Sequence, residues 1–185
     1  MTRTVLAAAI ACTALGACTV VGSEPQTIEE LNAYSQDLQA RLDDTSVISG
    51  QDMPTSGSSR YEGIMSLALP DGSFGIYVVL GNLELDVPFA PGAEVTGQAD
   101  GFVEQSGAPF DGALTVAGGA VDRGGDAQLV DAAVTGTLSF EDQSFGVNRE
   151  LSGTFQGDGG PDMIAGAVRD VGPVQIYGGT FIVER

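Results

Sequence analysis

From Tyr61 onward, apolar residues alternate with polar or small residues in short runs separated by Gly, Pro and Asp. In Leu83–Phe89, for example, four apolar residues alternate with Glu84, Asp86 and Pro88. A period of two is typical of β-strands with one buried face. Eight strands are predicted: Tyr61–Leu69, Phe74–Phe89, Val95–Val103, Phe110–Val116, Val130–Phe140, Phe145–Phe155, Met163–Val168 and Val174–Val183.

The connections between these strands are short and contain turn residues, such as Pro70–Gly72 and Ala90–Gly92. They leave no room for crossover helices, so neighbouring strands are antiparallel. Closure into a barrel removes the exposed edges of such a meander. The pattern therefore predicts an all-β fold, an eight-stranded antiparallel up-and-down barrel over residues 61–185, with a bulge or bend at Gly81–Asn82.

Residues 27–43 show a helical pattern instead. Thr27 and Glu30 fit a capping box, in which each side chain bonds the backbone amide of the other residue. The apolar residues that follow fall close to one stripe: Ile28, Leu31, Leu38 and Leu42, with Tyr34 beside it. This single helix is expected either to pack on the barrel wall or across a barrel end, or to bind a partner or a second copy. Residues 44–60, rich in Gly, Pro, Ser and Thr, are predicted to be a linker.

The first 17 residues predict a lipoprotein signal peptide. Arg3 precedes a short apolar run, Val5–Leu15, and Leu15–Cys18 resembles the bacterial lipobox, whose Cys is acylated. The alternative is an ordinary signal peptide cleaved at a nearby Ala. We expect lipidation of Cys18, a lipid-anchored tether over 18–26, and anchoring in outer-membrane lipid, since Thr19 is not the Asp that signals inner-membrane retention.

The composition of the chain argues against several classes of function. The chain has 25 Asp and Glu, seven Arg, no Lys and no His, and a net charge of −18. After cleavage before Cys18 six Arg remain and the net charge is −19. This acidity disfavours nucleic acid as a partner. Without His or a free Cys the usual catalytic triads are impossible, and no pair of carboxylates is singled out for glycoside hydrolysis. The sequence predicts no catalytic residues, no cofactor and no enzyme.

Two loops hold paired carboxylates of the kind that a hard cation uses. These are Asp122–Asp126 and Asp158–Asp162, and both are also rich in Gly. Neither matches an EF-hand loop or a nonapeptide calcium repeat. Asp and Gly are equally what plain turns contain, so the prediction is that there is no metal site.

Several Gly-rich and strand segments resemble a known family. Pro54–Gly63, Leu83–Phe89, Gly153–Gly157 and Tyr177–Phe181 resemble the barrel domain of transferrin-binding protein B-like lipoproteins, and the factor H binding protein family has a similar barrel. The resemblance covers roughly residues 54 to 185. It implies an eight-stranded barrel on an outer-membrane lipoprotein, often displayed at the cell surface and engaged in binding a protein or another ligand.

The chain departs from that family in having one barrel with short turns instead of paired lobes with long loops. Its Gly153–Gly159 segment matches the family pattern only in part, and neither transferrin binding nor any binding residue is carried over. A transmembrane barrel is disfavoured by the lipobox, by the lack of Trp, by the terminal Glu184–Arg185, and by acids on strand faces. Those acids are Glu84, Asp86, Asp111 and Glu150.

Two functions remain as hypotheses for a soluble barrel on a lipid tether. The first is a binding module that contacts a protein partner through its loops or helix. The alternative is a lipocalin-like carrier that holds a small apolar ligand inside the barrel. Large residues predicted to point inward favour a filled interior: Phe89, Phe110, Leu114, Phe140, Phe155 and Phe181. An exposed apolar patch on the helix or loop tips would favour the binding module.

Overall fold

A computed structural model of the chain describes residues 26–72, 75–171 and 177–185. It confirms the predicted fold: one helix precedes a closed, eight-stranded antiparallel barrel. The elements are α1 (Ile28–Asp43), β1 (Ser58–Pro70), β2 (Ile76–Pro88), β3 (Val95–Glu104), β4 (Asp111–Asp122), β5 (Gln128–Phe140), β6 (Gln143–Gln156), β7 (Met163–Asp170) and β8 (Gly178–Glu184). The predicted signal peptide, Cys18 and nearly all of the tether lie outside the described residues, as do Phe74 and residues 174–176 of two predicted strands.

The strands follow one another around the barrel in chain order, and β8 pairs with β1 to close it. The closing ladder runs from Glu62 opposite Glu184 to Leu67 opposite Gly179. Each strand is therefore hydrogen-bonded on both sides, which satisfies the backbone groups that an open sheet would expose.

The interior is a single cluster of apolar side chains. Of the six residues predicted to point inward, Phe89, Phe110, Leu114, Phe155 and Phe181 are buried, and Phe140 is half-buried and packed against the same cluster. Tyr61 lies among them, edge-on to Phe155 with ring centroids 6.3 Å apart. The Tyr61 hydroxyl donates a hydrogen bond of 2.6 Å to the carbonyl of Pro161, so its polar end is satisfied inside the barrel.

Two bulges shift the inward pattern. The ladder between β2 and β3 slips between Leu80 and Asn82, which confirms the predicted irregularity. The Phe102 ring lies 2.6 Å from where a Cβ on Gly81 would be, so only glycine fits here. In β5 the ladder to β6 slips between Leu129 and Ala132.

The second bulge corrects one prediction. Alternation along the predicted strand Val130–Phe140 places Val130 on the same face as Phe140, which is predicted to point inward, but the structure buries Leu129 there and leaves Val130 half-buried. Asp131, with φ at 59°, provides the extra residue that turns the strand over by one position. The simple alternation that placed Val130 inside cannot detect such an insertion.

The helix packs against the outside of the barrel wall. Thr27 and Glu30 form the predicted capping box, with Thr27 N–H donating to the Glu30 carboxylate at 2.8 Å. Ile28, Leu31 and Leu38 are buried in a second apolar cluster. The barrel contributes Ile64, Leu80, Val103 and Met163 to that cluster. Of the alternatives for the helix, packing on the wall is therefore the one observed.

The segment after the helix crosses one end of the barrel. Ile48 N–H donates to the Phe155 carbonyl at 3.0 Å, and Ala127 N–H donates to the Ile48 carbonyl at 2.8 Å. Ile48 and Met53 are buried in the main core. The sequence predicts a linker over residues 44–60. In the structure residues 46–54 form a lid over this end of the barrel, and residues from Ser58 belong to β1. None of the helices in the described ranges is long and apolar enough to cross a membrane.

Candidate functional site

At the end opposite the lid, the ladders on either side of β7 and β8 end early among the described residues. In the part of the chain that the structure describes, β6 pairs with β7 from Arg149 to Gln156, and β1 pairs with β8 from Glu62 to Leu67. Residues 143–148 of β6 and 68–70 of β1 continue beyond these ladders. We call the surface between these two continuations the notch; residues 172–176, which connect β7 to β8, lie outside the described residues.

Arg149 spans the base of the notch from inside the barrel. Its Nε donates to an Asp170 carboxylate oxygen at 2.9 Å, and one terminal nitrogen donates to the Ala68 carbonyl at 2.6 Å. A weaker bond of 3.5 Å reaches the Gly178 carbonyl. The other Asp170 oxygen accepts from the Tyr177 N–H at 3.1 Å. One guanidinium thus connects β6 to β7, β8 and β1 at the last pair of the described β6–β7 ladder.

Arg149 is 4% exposed, and it is the buried charged side chain of the described residues. Burial lowers its pKa, and the adjacent Asp170 carboxylate opposes that shift. The guanidinium stays charged because arginine starts from a pKa far above neutrality. The side chain of Asp170 is 25% exposed, so the pair lies at the boundary between core and solvent.

The notch opens into a cavity of about 450 Å³. Its walls carry polar and apolar groups together, which are Leu69, Pro70, Ser144, Phe145, Gly146, Asn148, Arg149, Asp170, Val171 and Tyr177. Next to it an aromatic cluster closes the barrel interior: Phe110 stacks on Phe140 at 4.9 Å, and Tyr77 lies edge-on to both rings. The cavity is therefore a surface site, separated from the core by packed rings.

A second cavity, of about 410 Å³, lies beside α1 on the outer face of β1, β2 and β3. We call it the acidic groove. It is lined by Gln26, Tyr34, Glu62, Gly63, Asn82, Leu83, Glu84, Gln98 and Asp100. Arg60 forms ion pairs with Glu62, at 3.2 Å, and with Glu84. One cation against three carboxylates leaves the groove negative.

Exposed large apolar residues are few among the described residues. They are Val47 on the lid, and Ile76 and Val171 at the notch end of the barrel. Isolated residues of this kind do not make a contiguous patch on the helix or on a loop tip. An exposed apolar patch on the helix or on a loop tip, which would have favoured a protein partner there, is therefore not found in the described part of the chain.

The two loops with paired carboxylates are used as turns. Asp122 accepts from the Gly124 N–H at 2.9 Å, and Asp162 pairs with Arg185 at 2.7 Å. Within the described residues no three Asp, Glu, Cys or His side chains are gathered closely enough to hold a metal ion. Arg123, between the carboxylates of the first loop, instead donates to the carbonyls of Pro54 and Phe89, both at 2.7 Å, and fastens the lid.

The acids singled out on strand faces are not brought together either. Glu84 lines the acidic groove and Asp86 is exposed farther along β2, whereas Asp111 and Glu150 lie on other strands. The Arg149–Asp170 pair is not among the residues that the sequence pattern singles out. The available signal was the position of Arg149 in the alternation of inward and outward residues, because it falls on the inward face of β6 with Phe145, Val147 and Leu151. A charge at an inward position of a strand indicates a buried ion pair.

Comparison with known proteins identifies no family for this chain. No protein-family model matches the sequence, and no curated protein matches it significantly. The resemblance to transferrin-binding protein B-like lipoproteins therefore stays a prediction.

Proposed function

We propose that this protein is a non-catalytic binding module, attached to the outer membrane by an acylated Cys18, that contacts a protein partner with its outer surface. The observation that supports this most is the filled barrel. Apolar side chains such as Phe155 and Phe181 occupy the interior, the lid covers one end, and aromatic rings close the other. A barrel with this interior favours recognition at the surface over the alternative of a lipocalin-like carrier.

The acidic groove is the surface that we assign to the partner. It combines an aromatic ring, Tyr34, with the carboxylates of Glu62, Glu84 and Asp100 in one concave site. Burial and the nearby charge of Glu184 raise the pKa of Tyr34, so its hydroxyl stays a neutral hydrogen-bond donor. Charge complementarity selects a basic protein surface, and the net charge of −18 would speed its encounter.

The groove also lies close to the attachment point. Gln26 lines it and is eight residues from Cys18 along the chain. Eight residues span at most about 28 Å when fully extended. A partner bound in the groove would therefore be held near the membrane surface, whether the barrel faces the periplasm or the cell exterior.

Lipid anchoring is tested by metabolic labelling with palmitate. We expect the wild-type chain to take up label and to fractionate with the outer membrane, and Cys18→Ser to lose both properties. Cys12→Ser is the matched control, because Cys12 lies within the predicted signal peptide. Labelling that survives Cys18→Ser, or fractionation with the inner membrane, would contradict the proposal. Protease treatment of intact cells then distinguishes surface display from a periplasmic orientation.

The partner is tested by capture with residues 18–185 carrying Cys18→Ser. A specific partner is one whose capture falls when Glu84→Gln and Asp100→Asn are introduced together. The matched control is Glu141→Gln with Asp142→Asn, which removes the same charge from an exposed turn outside the groove. If the two double substitutions reduce capture equally, the partner is only attracted to an acidic protein in general, and the groove is refuted as the contact surface.

The carrier alternative makes a different prediction. Native mass spectrometry of the purified chain would show a mass above that of the polypeptide if the barrel carried a small apolar ligand. We expect the polypeptide mass alone, because the inward side chains already contact one another in a single cluster.

A further inference from the structure

The lid, residues 46–54, covers one end of the core but belongs neither to α1 nor to a strand of the barrel. Among the described residues, four backbone hydrogen bonds of 2.7–3.0 Å attach it to the barrel: Ser46 to Gly157, Ile48 to Phe155 and to Ala127, and Gly50 to Gly125. Two of its side chains, Ile48 and Met53, are buried in the main core. Each barrel strand, in contrast, is paired with two neighbours. The lid is therefore held more weakly than the strands that it covers.

Both ends of the lid are tied to folded elements. On one side the Thr45 hydroxyl donates to the Leu42 carbonyl at 2.8 Å, at the end of α1. On the other side the Gly57 carbonyl accepts from the Phe89 N–H at 2.9 Å, just before β1. Gly57 has a φ of 84°, and the position that a Cβ would take there has no neighbour within 4 Å. Because a glycine in open space changes its backbone angles freely, the segment between these two ties can swing out without separating the strands.

Arg123 is the latch of the closed lid. Its guanidinium donates to the Pro54 carbonyl on the lid and to the Phe89 carbonyl at the end of β2, both at 2.7 Å. Its Nε is buried, and none of the described residues offers that atom an acceptor. A buried donor without an acceptor costs free energy, which is recovered when water reaches it. The latch therefore holds the lid in place and at the same time lowers the cost of opening it.

The closed lid lies directly on the backbone of the same arginine. A Cβ at Gly50 would be 2.4 Å from the Arg123 carbonyl oxygen, which is closer than a side chain tolerates. Closure therefore requires glycine at this position, and a larger residue would hold the lid away from the loop between β4 and β5.

We propose that the lid is a gate, which opens between Thr45 and Gly57 while the barrel stays folded. Opening removes the cover from the apolar end of the core, where Phe89 and Phe155 are buried. In the closed state the exposed large apolar residues of the described chain are isolated from one another. The gate thus decides whether the protein presents a contiguous apolar surface, and it acts independently of the acidic groove and of lipid anchoring.

Three methionines report separately on the lid, the core and the helix. In residues 18–185 carrying Cys18→Ser they are Met53 on the lid, Met65 in the main core and Met163 beneath α1, and all three are buried. Hydrogen peroxide converts an accessible methionine to its sulfoxide, which peptide mass spectrometry measures. We expect Met53 to be oxidised at least about tenfold faster than the other two, because the lid opens alone. A Met53 rate equal to that of Met65 or Met163 would overturn the proposal.

A disulfide can lock the gate. Ser49 and Asp126 oppose each other in an antiparallel bridge, and the hydrogen bonds flank this pair without joining it. The Cα atoms of such a pair lie about 4.5 Å apart, within the range of about 4.4–6.8 Å that a disulfide spans. Ser49→Cys with Asp126→Cys should slow oxidation of Met53 to within about twofold of the Met65 rate. Ser49→Ala with Asp126→Ala, which forms no cross-link, is the control and should behave like the wild type. An unchanged Met53 rate in the locked chain would show that peroxide reaches Met53 through a closed lid, and would refute the gate.

A wedge has the opposite effect. Gly50→Ala should accelerate oxidation of Met53 by about tenfold or more, because the added methyl group meets the Arg123 backbone. The rate at Met65 should stay unchanged, which shows that the barrel is still folded. Gly146→Ala, at an exposed position of β6 where a Cβ has no neighbour within 4 Å, is the matched control and should leave both rates unchanged. Equal acceleration of Met53 and Met65 by Gly50→Ala would mean that the lid and the barrel open together, and would contradict the proposal.

Discussion

Arg149 carries a charge into a barrel whose other inward side chains are almost all apolar. It compensates for its own burial with an ion pair of 2.9 Å and a bond of 2.6 Å to a carbonyl on β1. Removing one partner of such a pair leaves the other charge buried and unpaired, which costs more than the pair itself contributes. The residue is therefore important for stability at the end of the barrel opposite the lid.

We expect Arg149→Met to lower the free energy of unfolding by about 3 kcal/mol in a urea titration. Adding Asp170→Leu should restore part of this loss, because the unpaired carboxylate is then removed as well. Arg169→Met, an exposed neighbour on β7, is the matched control and should change stability little. A loss below about 0.5 kcal/mol for Arg149→Met would show that the guanidinium does not hold the strands together.

Tyr61 is expected to make the folded barrel less stable at alkaline pH. Burial raises its pKa, and its hydroxyl is bonded to the Pro161 carbonyl at 2.6 Å. Since the folded state resists loss of this proton, the stabilisation is complete below the unfolded pKa of about 10 and is lost as pH rises above it. The acidic and neutral range is unaffected by this group.

Tyr61→Phe should therefore cost about 1 kcal/mol at neutral pH, through the lost hydrogen bond. It should also flatten the decline in stability above about pH 10, because Phe has no proton to lose. The measurement is urea unfolding of both proteins between about pH 7 and pH 11. A difference between the two proteins that stays constant above pH 10 would contradict the role of Tyr61.

Among the elements, α1 is attached to the barrel by a narrow apolar face. Leu31 and Leu38 are fully buried beneath it, and Arg41 pairs with Glu184 at 2.8 Å. A short helix has little stability of its own, so it persists because of this packing. The acidic groove beside it depends on the same contacts, because Tyr34 lies on the helix.

Leu31→Ala or Leu38→Ala should remove about 2 kcal/mol or more of packing between helix and barrel. Hydrogen exchange of α1 amides should then accelerate by at least about tenfold, while amides of β4–β6, on the other side of the barrel, keep their protection. Gln36→Ala, exposed on the same helix, is the control and should leave exchange unchanged. Equal acceleration in α1 and in β4–β6 would show that the helix does not open separately.

For the whole molecule, the dominant property is its charge. Twenty-five acids against seven arginines produce a net charge of −18, and self-repulsion of this kind destabilises a compact state. The surface ion pairs, such as Arg60 with Glu62, are exposed and contribute little to stability. Salt should therefore screen more repulsion than attraction.

We expect the melting temperature to rise when sodium chloride is raised from about 0.02 M to about 0.5 M. The variant with Glu141→Gln and Asp142→Asn should start from a higher melting temperature at low salt and gain less from added salt. Thermal unfolding followed by circular dichroism measures both effects. A melting temperature that falls with salt would mean that attractive ion pairs outweigh the net repulsion.

The sequence by itself was sufficient to predict the strands, the capping box at Thr27 and Glu30, and the barrel. These depend on local periodicity and turn chemistry, which the order of residues encodes directly. It was also sufficient to predict the irregularity at Gly81–Asn82, because glycine inside a strand often marks a bulge or a bend.

Only the tertiary structure decided how distant segments meet. The lid needs Ile48 to pair with Phe155, and the notch needs Arg149 on β6 to reach Ala68 on β1 and Asp170 on β7. Such contacts join residues far apart in the chain, and no local period marks them. The helix position, the unexpected lid and the buried ion pair depend on which distant strands are brought together when the barrel closes as a whole.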